Sequence, residues 1–483
     1  MKAKRQLLQI WLLLIGLLAG LNQANAQTSF NLSANNTVVP AAPGTGGGDS
    51  PYAVTAFMNV DGRVDLVTAN GHYGTLTVLT NDGSGNFSSN ATYAVGIYPD
   101  SVAAADVNGD GYVDLICANQ GSFLLGVTNA GTLTVLTNNG TGGFGLNATY
   151  TISPSPFSVV AADINGDGKP DLICSYYNNS AYTNTITVLT NDGSGGFVLE
   201  TNIPTPKFTY YIQSVTTADV NGDGKLDLIA ANIQGPSVVF TNNGNGGFTL
   251  SYSQGNGLYP HAPASVTAAD VNGDGKVDLI FADYSGAAAI TILTNNGSGG
   301  FVLYTNIPNN GVAIQPDFVT AADVNGDGKV DLILANQGTP GGNNSSLIVL
   351  TNNGSSVFVQ AAYIAMGSSA ANWIAAADFN GDGKVDIACA NRYSNSVSVF
   401  FNASIFPPPT ATPPLNINSS GSGIQVSWPS PSAGWSLQQN PNLTTMPWGP
   451  SGYSGYTISD NGTTKSLTVP SPPGNMFFRL SHP

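Results

Sequence analysis

Apolar and polar positions along this chain repeat with a long period. Apolar runs of four to eight residues, rich in β-branched types, alternate with Asn-Gly and Asp-Gly turns between about residues 53 and 402. The stretch VTAADVNGDGKVDLI occupies 266–280 and recurs unchanged at 319–333. Near-copies begin at 102, 159, 215 and 374, and a decayed copy covers 54–67. Runs of this kind are typical of β-strands joined as hairpins, so the pattern predicts an all-β fold.

The spacing of the seven copies predicts a specific all-β architecture. Each copy is followed by a second signature, such as LTVLTNDGSGNF at 76–87, that predicts two more strands joined by a turn. Four strands in roughly 50 residues are typical of a propeller blade, so seven copies predict a seven-bladed β-propeller. The first positions of the seven motifs are Phe57, Asp106, Asp163, Asp219, Asp270, Asp323 and Asp378.

The seventh unit lacks its outer strand. It ends with VSVFFNAS at 397–404, without the turn and the closing Phe of the other units. The segment TSFNLSANNTVVP at 28–40 resembles the outer strands of those units. We therefore predict that the N-terminal segment completes the last blade, which removes two exposed strand edges.

The two ends of the chain predict further segments. Residues 1–26 have the basic start, apolar run and Ala-Asn-Ala site of a secretory signal peptide. After its cleavage no apolar run is long enough to span a membrane, so we expect a protein that is secreted or held at the cell surface. The propeller is assigned to 27–402 and a proline-rich linker to 403–414. Short strand-like runs at 415–483 predict a small C-terminal β-sandwich-like module, with Trp428, Trp435 and Trp448 in its packing.

Charge is sparse and concentrated. Only 8% of the residues are charged, yet the net charge is -15, and Glu200 is the sole glutamate. Most of the acidic residues lie in the repeated motif, which argues against nucleic acid or an anionic membrane as a partner. Cys117, Cys174 and Cys389 occupy equivalent strand positions and are expected to be buried thiols. We expect a monomer.

The motif Asp-x-Asn-Gly-Asp-Gly-x-x-Asp has the chemistry of a cation site. Three carboxylates within nine residues repel one another unless a cation lies among them. A ligand set of oxygens without His or Cys favours Ca²⁺, and the glycines at positions 4 and 6 allow the tight turn. The flanks are strand-like and position 12 is apolar, so the loop is not an EF-hand. A metal-free turn rich in Asp and Asn is the alternative for any single copy.

About six calcium sites are predicted, with ligands at positions 1, 3, 5 and 9 and a backbone carbonyl at position 7, whose side chain is free to vary. The first repeat keeps Asn59, Asp61 and Asp65 but has Phe57 and Val60 at positions 1 and 4, so we expect it to bind no metal. The predicted ligands are Asp106, Asn108, Asp110, Tyr112 and Asp114; Asp163, Asn165, Asp167, Lys169 and Asp171; Asp219, Asn221, Asp223, Lys225 and Asp227; Asp270, Asn272, Asp274, Lys276 and Asp278; Asp323, Asn325, Asp327, Lys329 and Asp331; and Asp378, Asn380, Asp382, Lys384 and Asp386.

The motif DxNGDGxxDLI, followed by a GF turn, resembles the FG-GAP/VCBS repeats of integrin α-subunit propellers and of secreted bacterial proteins. The resemblance covers about residues 28–402. It implies blades with Ca²⁺ in the loop between the first two strands. A shared fold does not fix the activity.

The remaining residues favour recognition over catalysis. With three histidines, one glutamate and no active-site motif, we expect no enzyme, and a carbohydrate-active enzyme is the least favoured alternative. A second alternative is a structural surface protein without a specific ligand. Loops opposite the motif carry aromatic residues beside Asn, Ser and Gln, which suits an extracellular protein or glycan ligand. The candidate contacts are Tyr73, Tyr98, Tyr177, Tyr211, Tyr259, Trp373 and Tyr393.

Overall fold

The structure is a computed structural model. It describes residues 30–32, 51–121, 130–152, 155–178, 183–205, 212–233, 235–253, 262–284, 288–308, 315–338, 344–354, 357–367, 370–404, 416–420, 423–429, 436–440, 449–450, 459–460, 464–469 and 477–481. The predicted signal peptide and most of the predicted linker lie outside these residues. No helix within the described ranges is long and apolar enough to cross a membrane.

Seven antiparallel four-stranded sheets form the predicted blades. Their first strands are β2 (Ala53–Met58), β6 (Pro99–Ala105), β10 (Pro156–Ala162), β14 (Ile212–Ala218), β18 (Pro263–Ala269), β22 (Pro316–Ala322) and β26 (Ala371–Ala377). Their second strands are β3 (Val64–Asn70), β7 (Asp114–Asn119), β11 (Asp171–Asn178), β15 (Asp227–Asn232), β19 (Asp278–Asp283), β23 (Asp331–Asn336) and β27 (Asp386–Asn391).

The outer half of each blade is the second predicted hairpin. The third strands are β4 (Thr75–Asn81), β8 (Thr132–Asn138), β12 (Thr183–Asn191), β16 (Val238–Asn242), β20 (Ala288–Asn295), β24 (Ser345–Asn352) and β28 (Ser396–Asn402). The fourth strands of blades 1–6 are β5 (Phe87–Ala94), β9 (Phe144–Thr151), β13 (Phe197–Pro204), β17 (Phe248–Ser253), β21 (Phe301–Pro308) and β25 (Phe358–Gly367). One turn of 3-10 helix, Gly71–Tyr73, joins β3 to β4.

The first strands line the axis of a closed ring. Each contacts the first strand of the next blade, and β26 of the seventh blade contacts β2 of the first. The second strands are buried along their length because neighbouring blades cover both faces, whereas the fourth strands are largely exposed. The core therefore lies between blades: Leu66 and Val399, for example, share one apolar cluster across the junction of blades 1 and 7.

The predicted closure by the N-terminal segment is confirmed. Strand β1 (Phe30–Leu32) is the fourth strand of the seventh blade, and it pairs antiparallel with β28, with Phe30 opposite Asn402. The last blade is thus built from both ends of the ring.

The three cysteines are buried and free, as expected. Burial raises the pKa of each thiol, to about 12 for Cys389, so these groups are unreactive packing residues.

Beyond the ring, the described residues form two further antiparallel sheets. Trp428 is buried there, as its predicted packing role requires, whereas Trp435 and Trp448 lie outside the described residues. The four-stranded sheet contains β29 (Asn416–Ser420), β30 (Gly423–Pro429), β33 (Ser459–Asp460) and β34 (Thr464–Val469), and the three-stranded sheet contains β31 (Ser436–Asn440), β32 (Gly449–Pro450) and β35 (Phe477–Ser481).

Candidate functional site

Each motif loop folds around its own first aspartate. In the fifth blade, the two carboxylate oxygens of Asp270 accept hydrogen bonds from the N–H groups of Gly273 and Gly275, both at 2.7 Å. Oδ1 of Asn272 accepts the N–H of Asp274 at 2.8 Å. Both glycines have a positive φ, 78° and 80°, which explains why positions 4 and 6 are glycine. The same bonds organise the loops that begin at Asp106, Asp163, Asp219, Asp323 and Asp378.

The ninth-position aspartate is the buried member of each loop. Asp278 accepts the N–H of Val271 at 3.2 Å and the N–H of Asn295 at 2.9 Å, one on each carboxylate oxygen. Burial raises the pKa of Asp278 to about 6; the two backbone hydrogen bonds oppose this rise, and the nearby charges of Asp274 and Asp270 add to it. The pKa of the ninth-position aspartate is also raised in the other five loops. It rises to about 7 for Asp331 and to about 6 for Asp386, and it is raised for Asp114, Asp171 and Asp227 as well.

The donor chemistry of these loops fits Ca²⁺. Each loop offers only oxygen ligands, and it holds one buried carboxylate beside two others, an arrangement in which a divalent cation relieves repulsion. In each loop, Oδ2 of the first aspartate accepts one loop N–H and keeps a second lone pair. Among the described residues, no three Asp, Glu, His or Cys side chains are grouped closely enough to hold a metal ion. The first and ninth aspartates of a loop are instead turned towards backbone N–H groups.

The side chain at position 7 has a role that the sequence did not reveal. The prediction that it is free to vary overlooks its contacts. Lys225 Nζ lies 3.9 Å from Asp223 Oδ2 and donates to the carbonyl oxygen of Asn243, in the turn between β16 and β17, at 2.7 Å. In the second blade, the ring of Tyr112 lies against the equivalent turn at Gly140. The ion pair is exposed and weak, so the side chain serves mainly to brace the loop against the neighbouring turn.

In blades 1 and 3–7, the asparagine that ends the third strand bonds to the preceding blade, and sequence reasoning missed this contact. Asn295 Nδ2 donates to the carbonyl oxygen of Val277 in its own blade at 2.9 Å and to that of Val220 in the preceding blade at 2.7 Å. Its Oδ1 accepts the N–H of Gly297. The signal in the sequence is the Thr-Asn pair that ends the third strand of blades 1–6. Bonds to the preceding blade are also made by Asn81, Asn191, Asn242, Asn352 and Asn402.

The first repeat is built differently. Phe57, at position 1, is buried and packs edge-on against Phe144 of the second blade, with ring centroids 6.0 Å apart. Asn59 Nδ2 donates to the carboxylate of Asp65, so an amide N–H group faces the ninth-position aspartate. An apolar residue thus replaces the first carboxylate, and Asn59 is kept but turns its amide N–H towards Asp65. That this loop binds no calcium stays a prediction.

On the opposite face, a cavity of about 340 Å³ opens on the axis, and we call it the axial cavity. In six blades the first strand has a register shift of one residue at its start, as between Pro99 and Ser101. A bulge of this kind redirects the extra side chain. Strands of seven residues place this cavity about 20 Å from the motif loops, which follow the other end of the same strands. The bulged residues Asp100, Phe157, Gln213, Ala264, Asp317 and Asn372 all line the cavity.

One side of the axial cavity departs from the repeat. Five positions before the motif, blades 2–5 carry a serine, and in each case its Oγ accepts an N–H from the next blade's first strand. Blades 6, 7 and 1 carry Phe318, Trp373 and Tyr52 there instead, and all three line the cavity. The rings of Phe318 and Trp373 lie 4.3 Å apart at an angle of 30°. The ring therefore has a polar arc and an aromatic arc.

Charged groups of both signs face the axial cavity. Arg392 donates to the hydroxyl of Tyr52 at 3.0 Å, and its guanidinium lies 4.5 Å from the centre of that ring. Burial raises the pKa of Asp100 to about 7, against a hydrogen bond from Gln120 and the charge of Arg392, while the charge of Asp317 adds to the rise. Burial likewise raises the pKa of Asp317 to about 6, opposed by Arg392. The cavity thus combines one cation with two acidic groups.

The predicted ligand contacts are only partly gathered at this cavity. Trp373 lines it. Tyr393 is 48% exposed and lies 5.7 Å from the guanidinium of Arg392, and Tyr98 is 40% exposed just before the inner strand of blade 2. Tyr73 is half-buried against the core between blades 7 and 1. Tyr177 pairs with Asn184 between β11 and β12, and Tyr211 and Tyr259 lie outside the described residues.

Two solved structures are similar to the ring. Both are titled BBS1N in complex with ARL6DN, one soaked with lead and one with mercury. They align with TM-scores of 0.52 and 0.53 at 11% and 12% identity, and cover 80% and 79% of this chain and 99% and 98% of theirs. At this identity the likeness shows the fold alone.

Sequence comparison identifies the repeats. Cartilage acidic protein 1 of Xenopus tropicalis is 24% identical over 253 residues, which are 49% of this chain and 38% of that protein, so the chain spans less than half of this relative's length. The family described as FG-GAP-like repeat matches residues 58–117, 123–174, 176–230, 219–281, 270–334 and 323–389. Because these six matches cover most of the propeller, the chain belongs to the family of FG-GAP-like repeat proteins.

Proposed function

We propose that this protein is an extracellular, calcium-binding β-propeller that recognises a protein or carbohydrate ligand on the face opposite the motif loops. The observation that carries the proposal is the axial cavity, where aromatic residues replace the serine of the other blades and charged groups converge. Concave sites with a few convergent polar groups are the usual place for a ligand.

The proposed location follows from the sequence of the leader and from one relative. Residues 1–26 have the features of a secretory signal. The relative named cartilage acidic protein supports an extracellular setting. A cleaved leader would release the ring together with the two C-terminal sheets.

Calcium would occupy the six intact motif loops. In each, the aspartates at positions 1, 5 and 9 and the asparagine at position 3 would supply side-chain oxygens, and position 7 would supply its carbonyl. The ninth aspartate is hydrogen-bonded to the third-strand asparagine, which in turn bonds to the preceding blade. Calcium bound in a loop would therefore stiffen the junction between two blades, and through it the opposite face.

The face that carries the motif loops is poorly suited to specific recognition. Its loops repeat almost unchanged: five of the six have Lys at position 7. The connections on the opposite face differ in length and amino-acid composition from blade to blade. Residues that determine binding specificity normally lie in such variable loops. We propose binding rather than catalysis because the chain has only three histidines and one glutamate.

A paired set of variants tests the proposed function. The mature chain is screened against immobilised glycans and extracellular proteins, in Ca²⁺ and in chelator. Tyr98→Ala with Tyr393→Ala removes two exposed aromatics near the cavity, and Lys276→Ala with Lys329→Ala is the control pair on the loop face. We expect the tyrosine pair to weaken binding without a change in melting temperature. If only the lysine pair weakened ligand binding, recognition would belong to the face of the motif loops. If no ligand bound in the whole screen, the recognition function would be refuted in favour of a structural role for the protein.

A further inference from the structure

We propose that the axial cavity binds one neutral sugar unit, with its ring stacked on the aromatic arc formed by Phe318, Trp373 and Tyr52. This inference rests on the proposed recognition function and names its site and its ligand class. It is carried by the composition of the cavity walls, by the bulges that place those walls and by the size of the space.

The polar groups of the cavity are mixed in a way that suits hydroxyl groups. Arg392 only donates hydrogen bonds, an ionised Asp100 or Asp317 only accepts them, and the amide of Gln213 does both. A cationic ligand would be served by acceptors alone and an anionic ligand by donors alone. A sugar hydroxyl both donates and accepts, so neighbouring hydroxyls on a sugar ring use the full set.

The aromatic arc supplies the second half of a sugar site. A pyranose ring presents a flat face of C–H groups beside its hydroxyls, and an aromatic ring offers apolar area for that face. In blades 2–5, the serine at the same position bonds to the next blade. Blade 6 has Phe318 at this position, so it lacks the serine hydroxyl that accepts an N–H from the next blade. The blades on one side of the axis thus place aromatic side chains at the cavity wall, at the position where the other blades use a serine for contact with the next blade.

The geometry of the cavity also limits the size of the ligand. A volume of about 340 Å³ lies near the lower end of the range for small-molecule sites, which suits a single ring and its substituents better than a long peptide segment. Most of the lining residues lie at the starts of the inner strands, and sites built on strands are more precisely placed than sites on loops.

Saturation-transfer NMR on the calcium-loaded mature chain tests the inference. The probes are the methyl glycosides of glucose, galactose, mannose, fucose and N-acetylglucosamine, with arginine methyl ester and a sialic acid glycoside as charged probes. We expect at least one neutral glycoside to bind. Asp100→Asn keeps the size and shape of the side chain and should weaken that binding at least tenfold, as should Trp373→Ala. Tyr363→Ala, an exposed aromatic on the outer strand β25, is the matched control and should have no effect.

The outcomes separate this inference from the proposed function. Binding of the charged probes alone would overturn the neutral-sugar assignment. Neutral-sugar binding that survives both Asp100→Asn and Trp373→Ala would place the site elsewhere. A protein or glycan partner found in the wider screen that is insensitive to both cavity variants would leave recognition standing and refute the axial cavity as its site.

Discussion

Asn81 of the first blade donates a hydrogen bond from Nδ2 to the carbonyl oxygen of Phe379 in the last blade, at 2.7 Å, across 298 residues of sequence. The bond belongs to the set that third-strand asparagines make to preceding blades. At the same junction, Asn372 Nδ2 donates to the carbonyl oxygen of Tyr52 at 2.7 Å. Together with the pairing of β1 and β28, these contacts close the ring without a covalent link.

The blade-to-blade asparagines should be among the most sensitive polar positions of the ring. Asn295→Ala removes the donor to the buried carbonyl group of Val220 and to the partly buried one of Val277, and a buried acceptor left without its partner is costly. We expect a loss of about 2–4 kcal/mol in the free energy of unfolding, measured by urea denaturation. Thr294→Ala, one residue earlier on the same strand, is the control and should cost less than about 1 kcal/mol. Equal effects of the two substitutions would contradict the assigned role.

Much of the architecture follows from local pattern. The repeat period, the strand and turn signatures and the incomplete seventh unit predict the seven blades and the strand β1 that closes them. These features depend on residues close in sequence, or on a strand that resembles its neighbours. The glycines of the motif loops are likewise explained by backbone conformation at their own positions.

The features that were missed depend on contacts between blades. The bond from Asn295 to Val220 spans 75 residues, and no sequence feature near Asn295 indicates which residue it contacts. The axial cavity depends on a shift of strand register that brings Asp100 and Asp317 to the axis, although 217 positions separate them in the numbering. Hydrophobic periodicity does not report such bulges. The aromatic arc likewise depends on the closed ring, which brings Tyr52 of the first blade beside Phe318 and Trp373 of the last two.

Asp283 should make the stability of the ring depend on pH. It is buried at a position where five other blades have asparagine, and it accepts a hydrogen bond from Thr291 Oγ1 at 2.6 Å. Burial raises its pKa from 3.8 to about 7, so the folded state holds the proton more tightly than the unfolded state does. The stability contributed by the protonated group is complete below about pH 4 and is lost as pH rises through about 7.

The isosteric Asp283→Asn should remove this dependence. We expect it to raise the free energy of unfolding at pH 8 by about 1–4 kcal/mol and to have little effect at pH 4, as measured by urea denaturation across that range. Asn336→Asp, the reverse change in the sixth blade, should lower stability at pH 8. If the free energy of unfolding depended on pH in the same way for the parent chain and for Asp283→Asn, ionisation of this carboxyl would not destabilise the fold.

Deleting residues 28–39 should open the ring. The deletion removes β1 and leaves the edge of β28 unpaired from Phe400 to Asn402, and an unpaired edge invites association with other chains. We expect a lower melting temperature and higher-order species in size-exclusion chromatography. A synthetic peptide of residues 28–40 added in excess should restore part of the loss. A deletion variant as stable and monomeric as the parent would refute the closing role of β1.

Calcium should contribute a large part of the stability of the ring. Extracellular sites of this kind bind at about 10⁻⁴–10⁻³ M, and a tenfold excess over that constant stabilises by about 1.4 kcal/mol per site. Six independent sites then give about 8 kcal/mol, comparable with the stability of a whole domain. We expect a chelator to lower the melting temperature substantially, as followed by circular dichroism. An unchanged melting temperature would mean that the motif loops do not couple calcium to the fold.

The number of calcium ions bound per mature chain, measured by calorimetric titration at millimolar Ca²⁺, tests the central claim most directly. We expect about six. Asp274→Ala, in an intact loop, should remove one, whereas Asp61→Ala, at the same position of the first repeat, should remove none. A stoichiometry of one or zero, or an equal loss for the two variants, would contradict the account.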